Sequence, residues 1–427
     1  MSQAVPGKGM HIDLDSPVKR LLTMALVIGA ALSYLAITAR NFVASRFAMS
    51  SLENRLQLAV RLVPDNAQYH NSLGHLLYKN GQPQQAFEQY RIATSLNRHN
   101  ADYWIDLASM ASTSLDNGAQ ATAMDRAIQA DPKNPLVASD AADFFLVRGE
   151  AEKALREFRV LIEGDSTNAY KALQHCLHIA DVDTILKESL PPQPAAYLTF
   201  VDLLITKNDS LGAAKAWDAL VRLGHPVDTA RALLYVDYLI SQRDVSHAGQ
   251  VWNQVMALNN LPSYLPGSDN LIVNPSFDSD IMNGGFDWRY RRHANVDVAL
   301  DPSAFHTGHR SLAVTFDGPG IAETGISQLI PADPGTEYEF SAYFKSDKMD
   351  GAGGPRLTIE DAYSGATYFQ SDELKNSELW REVSGNFTIP LDAKLVALRL
   401  VRVPPESPIR GKLWIDNLHL AKKIPTD

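Results

Sequence analysis

Cysteine is almost missing. A single residue, Cys176, in 427 excludes an intrachain disulfide and any multi-cysteine zinc site. Positive charge is in deficit too: 39 Lys+Arg against 49 Asp+Glu leave a net charge of −10. That balance argues against non-specific nucleic-acid binding, which draws its affinity from dense positive charge. There is no glycine-rich phosphate loop with its lysine, no GxSxG elbow and no HExxH, and so no familiar enzyme signature. With 21% charged and 45% hydrophobic residues the composition is that of a globular protein rather than a disordered chain. At about 150 residues per domain the length predicts two or three folded units.

What is present begins with one long apolar run. Leu21 to Ala39 is 19 residues without a charge, flanked by Lys19-Arg20 and Arg40. It reaches roughly 28 Å as a helix, enough for a bilayer core. The run exceeds the usual apolar stretch of a signal peptide, and the tail of residues 1–20 before it holds Asp13 and Asp15. An uncleaved membrane anchor is therefore expected; small residues near Ala36 and Ala39 leave a cleaved signal as the alternative. Lys8, Lys19 and Arg20 before the run nearly balance Arg40, Arg46 and Arg55 after it, so charge does not orient it. A short tail inside, and a lone cysteine that tolerates an oxidising side, favour placing the bulk of the chain on the extracytoplasmic side.

Next comes a repeat. Segments beginning at Ala67, Ala101 and Pro135 are each 34 residues long. The first carries Leu73-Gly74, Ala86, Tyr90 and Ala93; the second Trp104, Leu107-Ala108, Met124, Ala127 and Asp131-Pro132; the third Ala141-Ala142, Phe145, Gly149, Ala154, Phe158 and Leu161. Apolar positions recur at three and four residues, the mark of amphipathic helices. Asn80-Gly81 and Arg148-Gly149 break the pattern where a turn is needed. This spacing resembles the tetratricopeptide repeat, a helix-turn-helix unit in which small residues sit where paired helices touch. Repeats are expected over 45–260, clearest in 67–168. After Asn168 the period slips, and Ala213/Trp217/Leu220 is then echoed 35 residues later by Ala248/Trp252/Val255. Stacked helix pairs offer a surface for a protein partner, or act as a spacer.

Residues 261–268, with Pro262, Pro266 and Gly267, are expected to be a linker. Beyond it short alternating runs replace the helical period: Tyr338 to Lys345, Val383 to Ile389, Lys394 to Val403 and Lys412 to Leu420. Turn clusters such as Asp317 to Gly320, Asp333-Pro-Gly335 and Gly351 to Pro355 divide them. Many short strands with Gly/Pro turns predict an all-β sandwich. The ordered series Asn270 to Asp278, Gly285 to Trp288, Gly308 to Leu312, Gln328, Pro334 to Tyr343, Trp380 to Phe387 and Leu413 to Leu420 resembles the galactose-binding-like jelly-roll carbohydrate-binding modules. The likeness covers 269–422. It implies glycan binding and a structural calcium, with Asp278 and Asp416 as its candidate ligands; a calcium site needs several oxygen donors, and the alternative is two ordinary turn and strand-end carboxylates.

Sugar rings sit against aromatics while their hydroxyls take side-chain hydrogen bonds. Alternation puts Tyr338, Phe340, Ala342 and Phe344 toward the core, and Glu339, Ser341, Tyr343 and Lys345 outward. Tyr343, Glu339, Arg399 and Trp288 are the candidate carbohydrate-binding residues, although tryptophans such as Trp288, Trp380 and Trp414 more often fill cores. Arg289 to His293 is the densest basic patch, a solvated face or a contact for an anionic glycan or lipid headgroups. His175-Cys176-x-His178 and His306-Thr-Gly-His309 gather metal-binding residue types without enough ligands. Glu360 and Asp361 fall on opposite faces of a strand and make no acid/base pair. The expected protein is a multidomain α-then-β chain: one transmembrane helix, an α-solenoid and a C-terminal jelly roll. It reads as a non-enzymatic scaffold or adaptor of a bacterial cell envelope, with repeats binding a protein and the β-sandwich binding polysaccharide, in surface-polymer production or export. No cofactor is required, and a structural calcium is the one metal that the resemblance implies. A purely structural assembly factor and a degenerate polysaccharide-cleaving enzyme are the alternatives.

Overall fold

The computed structural model describes residues 16–113, 117–405 and 407–423. Lys8, Asp13 and Asp15 of the N-terminal tail lie outside them. The chain divides into two compact units, Met1–Asp165 and Ser166–Asp427, and its secondary structure is helical up to residue 258 and β-rich after it.

In the first unit, α1 (Pro17–Ala48) contains the apolar run. Leu21, Leu26, Tyr34 and Leu35 are all exposed, as expected of a helix made to face lipid, and it is the one described helix long and apolar enough to cross a membrane. It continues past the run, and its last turns pack on α2 (Glu53–Leu62), where Ala44, Leu56 and Ala59 are buried. Three helix pairs follow: α3 (Ala67–Lys79) with α4 (Pro83–Leu96), α5 (Ala101–Thr113) with α6 (Asn117–Ala130), and α7 (Pro135–Val147) with α8 (Ala151–Gly164). Their first helices begin at the 34-residue spacing read from the sequence. Between units the chain caps the next helix: the Asn66 side chain accepts from Tyr69 N–H and Asn134 from Leu136 N–H. Gly81 and Gly149 adopt φ +76° and +73°, the left-handed C-terminal stop that favours glycine. Ala86, Ala93, Ala127, Ala141, Ala142 and Ala154 are fully buried between helices. At Gly74 a Cβ would lie 2.8 Å from the Tyr90 ring, so the pair closes only because that position has no side chain.

The second unit opens with a truncated pair, α9 (Ala169–Ile179) and α10 (Val182–Glu188). Full pairs return as α11 (Pro194–Thr206) with α12 (Ser210–Arg222), and α13 (Thr229–Ser241) with α14 (Val245–Leu258). Trp217 and Trp252, the echoed positions, are both buried. The β-sandwich follows, with ten strands among the described residues: β1 (Trp288–Tyr290), β2 (Val296–Asp301), β3 (Ser311–Gly318), β4 (Glu323–Pro331), β5 (Glu337–Gly351), β6 (Pro355–Asp361), β7 (Thr367–Gln370), β8 (Arg381–Thr388), β9 (Leu395–Arg402) and β10 (Ile409–Lys422). One sheet runs β1-β4-β9-β6-β7 and the other β2-β3-β10-β5-β8, antiparallel throughout. Alternation fills the space between them as expected: Tyr338, Phe340, Ala342 and Phe344 of β5 meet Val396, Leu398 and Leu400 of β9 in one core. The segment before β1 lies along the closing strand, with Leu271 N–H on Leu420 O at 2.8 Å and Leu418 N–H on Pro275 O at 3.0 Å.

The step from helices to sandwich is a packed joint. Pro262–Tyr264 forms a 3-10 turn, and the buried Tyr264 donates its hydroxyl to Asp280 O at 2.7 Å. Trp252 of α14 meets Phe286 edge-on, ring centroids 5.9 Å apart. Asp237 of α13 accepts from Gly285 N–H and pairs with Arg289 of β1. On the far side of the same sheet, the Tyr363 hydroxyl donates to Ile240 O at 2.8 Å and Arg243 lies over its ring.

Candidate functional site

The four sugar-binding candidates do not converge. Trp288 is corrected to a core residue: it is 2% exposed, stacked near Phe277, and its indole N–H donates to Asn274 O. β1 is only three residues long, too short for its alternation to be read from sequence. Tyr343 and Glu339 stand on the outer face of the β5-containing sheet, with Glu339 exposed. One face of the Tyr343 ring is already taken: His306 stacks on it at 3.8 Å and 10°, with Trp380 5.8 Å from His306. Arg399 lies on the opposite side of the sandwich, on the outer face of the β9-containing sheet, where Ser327 is its cross-strand partner.

The two candidate calcium ligands do meet at one turn. Asp416 Oδ2 accepts the N–H groups of His306 and Thr307 at 2.6 and 2.9 Å, and its Oδ1 accepts Asn417 N–H at 2.7 Å. Asp278 Oδ1 accepts His309 N–H at 2.6 Å. Burial pushes the Asp416 carboxyl above the usual carboxylate range, and the three N–H donors pull it back. Calcium takes six to eight oxygen donors. Here the carboxylates face N–H groups, and among the described residues no group of three or more His, Cys, Asp or Glu is placed to hold a metal. The two carboxylates clamp the 306–309 turn over Tyr343.

Cys176 is buried in α9 beside Ser189, and burial lifts its thiol to about 12. Asp361 caps the β6–β7 turn, accepting from Tyr363 and Ser364 N–H at 3.0 and 2.6 Å. Glu360 turns the other way and pairs with Arg399 at 2.5 Å. Burial raises the Glu360 carboxyl and Arg399 offsets it.

Around Arg399 the sheet face forms a cleft of about 630 Å³. Its walls bring together Arg399 and Ser327 from the strands, Glu323 at the start of β4, and Arg291, Arg292 and His293 from the loop after β1. Glu323 reaches Arg399 only at 3.5 Å. The basic loop is seated on the sheet: Arg291 N–H donates to Gly325 O at 3.0 Å. Gly325 has φ +78°, and a Cβ there would come within 2.6 Å of Arg291 O, so a side chain at 325 would lift the loop off its strand. The patch and Arg399 were each visible in sequence, yet nothing local signals that they meet.

Residues 269–405 match the CBM4/9 family model, a carbohydrate binding domain. Among solved structures, a structure described as "CBM4 structure and function" is 17% identical, covering 36% of this chain and 99% of its own, with a TM-score of 0.27. The CBM22-1 xylan-binding domain of Xyn10C from Paenibacillus barcinonensis is 19% identical over 35% of this chain and 93% of its own, TM-score 0.26. For the helices, YrrB, described as a TPR protein with an unusual peptide-binding site, is 13% identical over 44% of this chain and 84% of its own, TM-score 0.26. No curated protein sequence matches the chain.

A second cleft, of about 700 Å³, lies on the first unit between α4, α5 and α6. Trp104, Arg98, His99 and Arg126 line it, and the Trp104 indole N–H is held by Arg98 O at 3.0 Å.

Proposed function

We propose that the protein is a non-enzymatic, membrane-anchored adaptor of a bacterial cell envelope whose C-terminal domain holds a polysaccharide in the Arg399 cleft. Its repeats engage a protein partner, with surface-polymer production or export as the setting. The observation that carries this reading is the open polar cleft on a sheet face within the residues matched as a carbohydrate binding domain. The exposed apolar α1 supports an anchor, and in this reading the bulk of the chain lies on the extracytoplasmic side. The Trp104 groove supports the protein contact. Tyr343, with Glu339 beside it, is the competing glycan face.

Affinity electrophoresis of the full chain in detergent, through gels carrying a panel of plant and bacterial polysaccharides, tests it. Retention by at least one polymer is expected, weakened about tenfold by Arg399→Ala and unchanged by Tyr343→Ala. A loss with Tyr343→Ala alone would move the site to the other sheet. No retention by any polymer would leave a protein-assembly role.

A further inference from the structure

We infer that the ligand of this cleft is an acidic polysaccharide, one whose uronate carboxylates are read by Arg291 and Arg292. The inference rests on the glycan-binding reading above and names the class of glycan.

Charge within the cleft runs against the rest of the molecule. The chain carries −10 overall, whereas the lining holds three guanidinium groups and His293 against the single carboxylate of Glu323. The three arginines are not equivalent. Arg399 is committed to Glu360, and its Nε is buried without an aligned hydrogen bond. Arg291 and Arg292 are exposed and have no carboxylate partner among the described residues. Their neighbour Arg289 shows the contrast, since Asp237 neutralises it. Two adjacent unpaired guanidinium groups, on a loop fixed by the Gly325 contact, offer planar donor forks at the mouth of the cleft. Such forks match a carboxylate bidentately, which hydroxyls of a neutral sugar cannot do. Fixing the loop beforehand lowers the ordering cost of binding. Ser327 and Glu323 on the floor remain for sugar hydroxyls.

Full chain in detergent is run through gels containing alginate or polygalacturonate, both uronate polymers, beside xylan and galactan as neutral ones and a sulfated glycan as a charge control. Preferential retention by a uronate polymer is expected, falling as salt rises because exposed charge pairs are screened. The Arg291→Ala/Arg292→Ala double variant is expected to lose at least tenfold in retention at an unchanged melting temperature, and the Lys/Lys variant to recover only part of it. Retention by neutral polymers, equal in wild type and double variant, would overturn the acidic class and leave the glycan reading standing. Stronger retention by the sulfated glycan than by either uronate would overturn the carboxylate assignment. Uronate retention that survives the double substitution would remove it from this cleft, and silence on every polymer would overturn both readings.

Discussion

A single buried carboxyl shows how the domain's stability responds to pH. Asp287, in the segment entering β1, is fully buried, with Oδ2 accepting Met282 N–H at 2.7 Å and Oδ1 without a partner. Burial lifts its pKa to about 6. A folded-state pKa above the unfolded value means that the folded state holds the proton more tightly. The stability this contributes is complete below about pH 4 and is lost as pH rises through 6. Asp287→Asn keeps an acceptor for Met282 N–H and removes the ionisation. Urea unfolding from pH 4 to 7 is expected to show wild-type stability declining by roughly 2 kcal/mol from this group, with that decline absent in the variant. An identical pH slope in both proteins would refute the assignment. This group was not legible in sequence: nothing in the run Gly285-Phe-Asp-Trp288 signals that Asp287 is buried and takes its hydrogen bond from Met282 N–H.

Among the elements, the α13–α14 pair and β1 decide how the helices meet the sandwich. Gly285 stands between them with φ +58°, and a Cβ there would lie 2.5 Å from the Trp252 ring. Gly285→Ala therefore combines a disfavoured backbone region with overpacking, costing about 3 kcal/mol. Calorimetry is expected to show a lower melting temperature and earlier proteolysis around 261–268; an unchanged protein would mean the contact carries no energy. Periodicity revealed these helices and alternation revealed the strands, because both signals are local. The contact itself was hidden: Pro262, Pro266 and Gly267 have the composition of a linker, and only the tertiary arrangement puts Tyr264 and Trp252 into a shared core. The cleft was hidden for the same reason. Arg289 and Arg399 both pair across the sheet with Ser327, a register that joins residues more than a hundred positions apart in sequence.

For the molecule as a whole, the candidate membrane span and the start of the repeats share one element. α1 crosses from exposed apolar residues to the buried Ala44 that seats on α2. Removing residues 1–39 is expected to move the protein from a carbonate-resistant membrane fraction to the soluble fraction with its helical melting curve intact. Removing residues 1–48 would in addition bare Leu56 and Ala59 and lower that melting temperature. Equal melting of the two truncations would show that the end of α1 does not support the repeats.

The joint between the last helix pair and the sandwich also sets a direction. Asp237, Ile240 and Arg243 grip the β1 edge and the β6–β7 turn of the same sheet that carries the cleft. The sandwich cannot swivel about residues 261–268 without breaking holds at both edges. A polymer lying in the cleft therefore leaves it at a fixed angle to α13 and α14, and tension on that polymer passes into the helices as torque. In the proposed adaptor, that joint would aim the polymer as well as hold it.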